Sequence, residues 1–348
     1  MPDPLEGATP RPNWLAPDYT AGLASAILSL RGPSELLGET LACVLSQTYD
    51  KVETLVLDLG GDDETPRAVQ EWAQRFRQKR GWGIAYERVA LAASSGDARV
   101  RGARASRGEF LNFLEAGDIL LPDKLHGQVA AFARQDELGA VYGFADTYRL
   151  PSREVAARFR LDPPDKLLAL LSPGGRWDHP QAFLWRRSAL NAAGPPDEGA
   201  GAWDDWAYLV RLLVRGQKLV CVRRLTSRRH AAEPASQPEG PERTEARVRA
   251  LEEVFRLVRG LPDAKYLSRL AYLLCDEARA AQLAGPNVAY FRVTALLAQV
   301  VERGALPLKL KLVVNSHGQL IEWAFPLLQG LLKRSFQVER LRWEAKES

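Results

Sequence analysis

ASAILSLRGPSELLGETLACVLSQTYDKVETLVLDLGG, residues 24–61, is the stretch on which the fold turns. Its first seven residues are a short apolar run that stops at Arg31-Gly32-Pro33, the pattern of a buried strand entering a turn. Ser34 then offers a helix cap, and Leu36, Leu37, Thr40, Leu41, Val44 and Leu45 recur at helical spacing. A second strand over 53–58 ends at Gly60-Gly61, and a second helix is expected over 66–79. Continuous apolar strands alternating with helices predict a sheet covered on both faces. In such sheets the loops at the strand carboxyl ends form the binding crevice. Three places follow that rule: Asp58, residues 115–118 after EFLNFL, and the segment after 182–186.

Further out, the 348 residues suffice for one large α/β domain with an appendage, or for two modest domains. The expected organisation is a loose leader over 1–22, an α/β domain over 23–232, a proline-rich and charged linker over 233–248, and a mostly helical region over 249–348. The leader is proline-rich and acidic, without the basic flank and apolar run of a signal peptide. No run of about 18 apolar residues marks a bilayer span. Cys43, Cys221 and Cys275 form neither CxxC pairs nor a disulfide framework, which fits a reducing compartment.

Formal charge is +4, but 43 acidic residues are mixed among 47 basic ones. No broad cationic field results, and a nucleic-acid reading rests only on the pI near 9.0 and an arginine-rich helix without interleaved aromatics. In the tail, residues 306–332 interleave leucines and valines with Lys309 and Lys311. Two readings stand there: a helical cap on the α/β domain, with Pro326 starting or kinking a helix, or a segment lying in an anionic membrane surface.

DARVRGARASRGEFLNFLEAGDILLPDKL (97–125) and RWDHPQAFLWRRSALNAAGPPDEGAGAWDDWAYLVRLLVRGQKLV (176–220) complete the pattern. Together with residues 24–61, their order resembles the family 2 glycosyltransferases of GT-A fold over about residues 24–230. The resemblance implies a Rossmann-like mixed sheet flanked by helices. It also implies inverting transfer of a sugar from a nucleotide-diphosphate donor to a hydroxyl on a glycan or lipid-linked acceptor, in glycan or polysaccharide biosynthesis. The enzyme would be cytoplasmic, at the inner face of the membrane if the tail binds there. Mn²⁺ or Mg²⁺ would be the cofactor.

The residues give chemical reasons beside the resemblance. Asp58 at a strand end suits a nucleotide base or ribose, or else a solvated turn. Leu59 stands where the family has a second aspartate. A departing diphosphate gains charge, which a cation held by carboxylates stabilises, so Glu115 and Asp118 are the expected metal ligands and donor contacts. Gly117 replaces the family's further carboxylate; a purely geometric acidic turn is the alternative. Arg99 matches the family's Arg-Asn pair, with Val100 in place of Asn, and would reach the diphosphate; a solvated arginine face is the alternative.

Inverting transfer needs a carboxylate to take the acceptor proton, and by resemblance the second residue of the Asp204-Asp205 pair is that base. Both would also favour a helix N-terminus. Asp204, Trp203, Trp206 and His179 are the expected acceptor contacts, the tryptophans by stacking on a sugar, although core packing is open to each ring. His230, after Arg228-Arg229, falls where some relatives hold the metal or diphosphate; an ordinary basic-loop histidine is the alternative. A chain that keeps the fold but has lost turnover is the rival to the enzyme, motivated by Leu59, Val100 and Gly117.

Overall fold

The apolar run at 24–30 forms the inner part of β1 (Thr20–Leu30). From it the chain alternates through α1 (Glu35–Leu45), β2 (Val52–Asp58), α2 (Thr65–Arg80), β3 (Ile84–Arg88), α3 (Ser95–Ala105) and β4 (Gly108–Glu115). The four strands pair in parallel in the order β3-β2-β1-β4. Every residue of β2 is buried, as expected of a strand covered on both faces. Leu37, Leu41 and Val44 of α1, and Val69, Ala73 and Phe76 of α2, are buried at helical spacing. These helices supply much of the core around β1 and β2.

This computed structural model describes residues 14–31, 35–89, 95–135, 137–149, 152–172, 179–195, 204–230, 241–283 and 288–303. After β4 come β5 (Ile119–Leu120), α4 (Lys124–Phe132), β6 (Leu138–Tyr148), β7 (Val155–Phe159) and α5 (Lys166–Leu170). A 3-10 turn (Pro180–Ala182) leads into β8 (Phe183–Arg186), α6 (Arg187–Ala193), α7 (Asp204–Val214) and β9 (Lys218–His230). β8 inserts antiparallel between β4 and β6, while β9 runs parallel to β6. The result is one nine-stranded mixed sheet in the order β3-β2-β1-β4-β8-β6-β9-β5, with β7 beside β6.

β5 follows β4 after a tight turn, yet it pairs with β9, placing Ile119 opposite Arg228 and Leu120 opposite Ser227. The sheet therefore curls back toward the end of β4, and His230 comes against Gly117. On the opposite side α3 sits close to β1: a Cβ on Gly102 would clash with Ile27 and Leu57. Arg187, almost fully buried, donates from Nε to the Gly108 carbonyl at 2.7 Å and from Nη2 to the Ser106 carbonyl at 2.8 Å. It ties the start of α6 to the start of β4.

The chain divides into two compact units, residues 1–167 with 176–250, and 168–175 with 251–348. The whole sheet belongs to the first. The leader is not loose at its end: Leu15 is fully buried, and its N–H donates to Asn191 Oδ1 at 2.9 Å. Trp14 donates its indole N–H to the Leu190 carbonyl at 2.8 Å. An aromatic and a leucine with hydrogen-bond partners on α6 outweigh the surrounding prolines. Helix α8 (Pro241–Val258) begins inside the stretch read as linker, and α9 (Ala264–Leu283) and α10 (Val288–Glu302) follow. Arg292 on α10 pairs with both oxygens of Glu252 at 2.8 Å. No described helix is long and apolar enough to cross a membrane. The tail from residue 304, and with it both readings of residues 306–332, lies outside the described residues.

Lys124, in the Pro-x-Lys-Leu stretch, is 1% exposed and donates to Gln128 Oε1 at 2.6 Å. Gln128 in turn donates to the carbonyls of Val141 and Ala182, joining α4 to β6 and to the turn before β8. Burial lowers the Lys124 pKa to about 7, from an ordinary value of 10.5. The unfolded chain then binds more protons than the native one between those values, so this lysine contributes stability that is lost as pH falls through about 7. Thermal melts of wild type and Lys124→Met should diverge in favour of the wild type as pH rises from neutral toward the lysine range. A difference that stays constant with pH would show that the amine is charged in the fold.

Candidate active site

Three separate stretches meet at Arg99. It lies on α3, is 9% exposed, and donates from Nη1 to Asp205 Oδ2 at 2.6 Å and from Nη2 to Glu115 Oε1 at 2.9 Å. Glu115 ends β4 and Asp205 is the second residue of α7. Arg229 of β9 approaches the other Glu115 oxygen at 3.8 Å. Of the remaining arginines near this helix, Arg101 pairs with Glu87 and Arg107 with Glu53, both away from the cluster.

Asp118 closes the turn after β4. It is 2% exposed, and its Oδ2 accepts the Glu115 N–H at 2.8 Å. Burial, reinforced by the neighbouring Glu115 charge, pushes its pKa up to about 7. Between the two carboxylates Gly117 adopts φ +96°, and a Cβ there would come within 3.1 Å of His230 Cβ. The tight return of β9 thus explains why the further carboxylate of the family motif is a glycine here. His230 lies beside Tyr148, ring centroids 5.8 Å apart, and Tyr148 donates its hydroxyl to the Gly117 carbonyl at 2.7 Å.

Glu115, Asp118 and His230, the expected metal ligands, come together but do not form a ligand set as they stand. One carboxylate is held by two guanidinium groups, and the other is enclosed, tied to a backbone N–H and titrates near neutrality. Among the described residues no group of three histidine, cysteine or carboxylate side chains suits a metal ion. The positive charges facing this turn in the structure are those of Arg99 and Arg229.

Asp58 lies at the end of β2 and is fully enclosed. Its Oδ1 accepts the N–H groups of Gly60 and Gly61 at 3.0 and 2.6 Å, and its Oδ2 accepts the Tyr86 hydroxyl at 2.6 Å. Burial alone would raise its pKa, but the Tyr86 and glycine hydrogen bonds and the Arg88 charge hold it below the ordinary aspartate value. The carboxylate organises this turn. Leu59 is buried beside it, so no polar side chain stands at the family's second aspartate.

On the expected acceptor side, His179 is 9% exposed, with its ring 5.2 Å from Phe159. Trp206 is 3% exposed: its ring is packed in the fold and not offered to a sugar, because helical spacing turns it inward from Asp205. Trp203 lies outside the described residues, and so does the side chain of Asp204. The aromatic residues that border Asp205 are others: a small cavity beside the Arg99–Asp205 pair is lined by Trp14, Trp185, Tyr208 and Phe113. Trp14 is hidden in the sequence by its proline-rich surroundings, and Trp185 by its place inside an ordinary apolar strand.

The sequence model of glycosyl transferase family 2 matches residues 25–193, which hold the inner part of β1, all of β2 to β8, Arg99, Glu115 and Asp118. Over those residues the chain resembles glycosyl transferase family 2. Among curated relatives, the O-antigen biosynthesis protein RfbC of Myxococcus xanthus is 32% identical over 197 residues, 55% of this chain and 14% of RfbC. Among solved structures, TarS 1-349 of S. aureus in complex with UDP superposes with a TM-score of 0.58 at 14% identity, covering 82% of this chain and 81% of that one. GalNAc-T7 with UDP, GalNAc and Mn²⁺ gives 0.51 at 17% identity, covering 72% and 51%. The likeness to these structures shows the GT-A fold. The chain spans about half the length of one curated relative and 14% of the other.

The acidic turn holds its central glycine in a backbone conformation that side chains rarely adopt. Gly117→Ala should destabilise the protein by about 1–3 kcal/mol, the scale for a side chain forced into the left-handed region. The check is a lowered urea midpoint at unchanged slope. An unchanged midpoint would mean that the turn relaxes freely.

Proposed function

We propose that this chain is an inverting glycosyltransferase acting on a nucleotide-diphosphate sugar, with Asp205 as the base and a hydroxyl of a free or lipid-linked glycan as acceptor. The single observation that carries the reading is the Arg99 bridge between Glu115 and Asp205, which brings a candidate base and a cation together at the strand ends. The setting would be polysaccharide assembly, from a donor supplied on the cytoplasmic side.

The step balances as one displacement. Asp205 takes the proton of the acceptor hydroxyl, whose oxygen forms the new bond to the anomeric carbon. The bond from that carbon to the diphosphate oxygen breaks, and its electron pair leaves with the nucleoside diphosphate. Arg99 and Arg229 are the fixed cations that meet the growing charge. Because Arg99 also holds Asp205, a diphosphate drawing on the same guanidinium loosens the base as the donor settles. Glu115 keeps both arginines in place, and Asp58 supports the turn beside the nucleotide. The Mn²⁺ or Mg²⁺ implied by the acidic motif, with Mn²⁺ accompanying UDP and GalNAc in the GalNAc-T7 structure, would require the arginines to leave Glu115.

Asp205→Asn should lower transfer or donor hydrolysis about 100-fold or more, while nucleotide affinity stays within about threefold. UDP-, GDP- and dTDP-sugars form the panel. Near wild-type turnover in that variant would remove Asp205 from the mechanism, and a wild type inert on the whole panel would favour a binding protein that keeps the fold. Calorimetric titration of nucleotide-free protein with Mn²⁺ should give no saturable heat in the micromolar range, and a saturating one-site isotherm would restore the ligand set.

A further inference from the structure

We propose that Trp14 is a positioning residue for Asp205: it braces the end of α6, on which the first turn of α7 rests. This rests on the reading of Asp205 as the base. Trp14 precedes the residues matched by the family model, so the brace lies outside the family motif.

The need for a brace comes from α6 itself. The last carbonyls of a helix have no partner within it and take donors from elsewhere. α6 ends at Ala193, with Gly194 as its cap, and its donors arrive from two sides. From α7, Tyr208 places its hydroxyl 2.9 Å from the carbonyl oxygens of both Leu190 and Gly194, so its one proton is shared between them. Arg211 donates to the Pro195 carbonyl, and Arg215, just past the end of α7, to that of Ala192 at 2.8 Å. Residues 208, 211 and 215 follow helical spacing, so one face of α7 is seated on the end of α6.

The leader comes from the other side. Trp14 donates its indole N–H, at 2.8 Å, to the same Leu190 carbonyl that faces Tyr208. Leu15 and Asn191 exchange two further bonds, from the Leu15 N–H to Oδ1 at 2.9 Å and from Nδ2 to the Leu15 carbonyl at 3.3 Å. Leader and α7 thus share one acceptor.

Asp205 stands three residues before Tyr208, and side chains three apart lie on one helix face. Both border the same cleft as Trp14. The Tyr208 ring meets the Trp185 ring edge-on, with centroids 6.2 Å apart. The Arg99 ion pair acts on the Asp205 carboxylate, whereas the seat on α6 acts on its backbone. A misplacement of about 1 Å costs on the order of 100-fold in rate, so both restraints bear on proton transfer.

Trp14→Phe keeps an aromatic ring and removes the N–H. In the intact protein it should lower kcat about tenfold or more for hydrolysis of whichever UDP-, GDP- or dTDP-sugar the wild type cleaves, with donor KM within about twofold. Hydrogen exchange over residues 204–214 should become about tenfold faster, while β1 and β2 keep their protection. Because Trp14 and Tyr208 meet at one carbonyl, Tyr208→Phe should cost less kcat in the Trp14→Phe background than in the wild type. Asn191→Ala, which frees Leu15, should reproduce the Trp14→Phe pattern. Phe76→Leu, a core change on α2 away from the site, should leave kcat within about twofold, which separates positioning from a general loss of stability.

Lowered kcat with unchanged exchange at α7 makes Trp14 a substrate contact and overturns the positioning role. Faster exchange at unchanged kcat overturns it too, as does an effect confined to donor KM. If Trp14→Phe does not fold, Asn191→Ala decides by the same measures. Turnover of Asp205→Asn tests the base on its own. In a wild type inert on every donor, exchange at α7 alone decides whether the leader braces it, so either idea can fail without the other.

Discussion

The guanidinium of Arg99 is the constraint on which the site depends. A buried arginine is costly unless carboxylates face it with good geometry, and breaking such a group by removing one partner leaves an uncompensated charge. Here the two partners come from the end of β4 and the start of α7, so the charge holds together elements that the sheet alone does not fix. The approach of α3 to β1 that delivers Arg99 depends in turn on the missing side chain at Gly102. The pair of Arg99 and Asp205 is thus the outcome of backbone packing on one side of the sheet and charge neutralisation on the other.

Much of this was legible in the sequence because it is local. The runs at 24–30 and 53–58 are strands, and the apolar spacing of α1 and α2 is the spacing they use in the core. Arg99, Glu115, Asp118 and Asp205 could each be singled out as types of residue in suitable places. What periodicity does not carry is pairing at a distance. β5 has only two residues, too few to show a period, yet its pairing with β9 curls the sheet and brings Arg229 and His230 to the acidic turn. The salt bridge between residues 99 and 205 spans such a crossover and has no local signature.

The same limit explains the aromatic residues. Two tryptophans flank the Asp204-Asp205 pair in sequence, and one of them, Trp206, is turned into the core by the helix it belongs to. Position in a helix decides which face a residue presents, and adjacency to a catalytic residue does not. Trp14 reaches the neighbourhood of Asp205 from the far end of the chain, and Trp185 reaches it from β8. A proline-rich stretch reads as loose because composition averages over it, whereas two residues with hydrogen-bond partners suffice to anchor it.

The acidic turn shows how one geometric requirement redistributes charge. With β9 returning close to Gly117, whose φ is +96°, a side chain is disfavoured there, and the turn keeps one enclosed aspartate and one glutamate. Enclosure raises the Asp118 pKa toward neutrality, so near pH 7 that group contributes only part of a negative charge. Glu115 is then the principal anion of the turn, and two arginines are sufficient to neutralise it. Fixed cations of this kind are already in place before a diphosphate arrives and need no reorganisation as charge develops. They also tie the charge balance of the donor side to Asp205, since the guanidinium that faces one carboxylate faces the other as well.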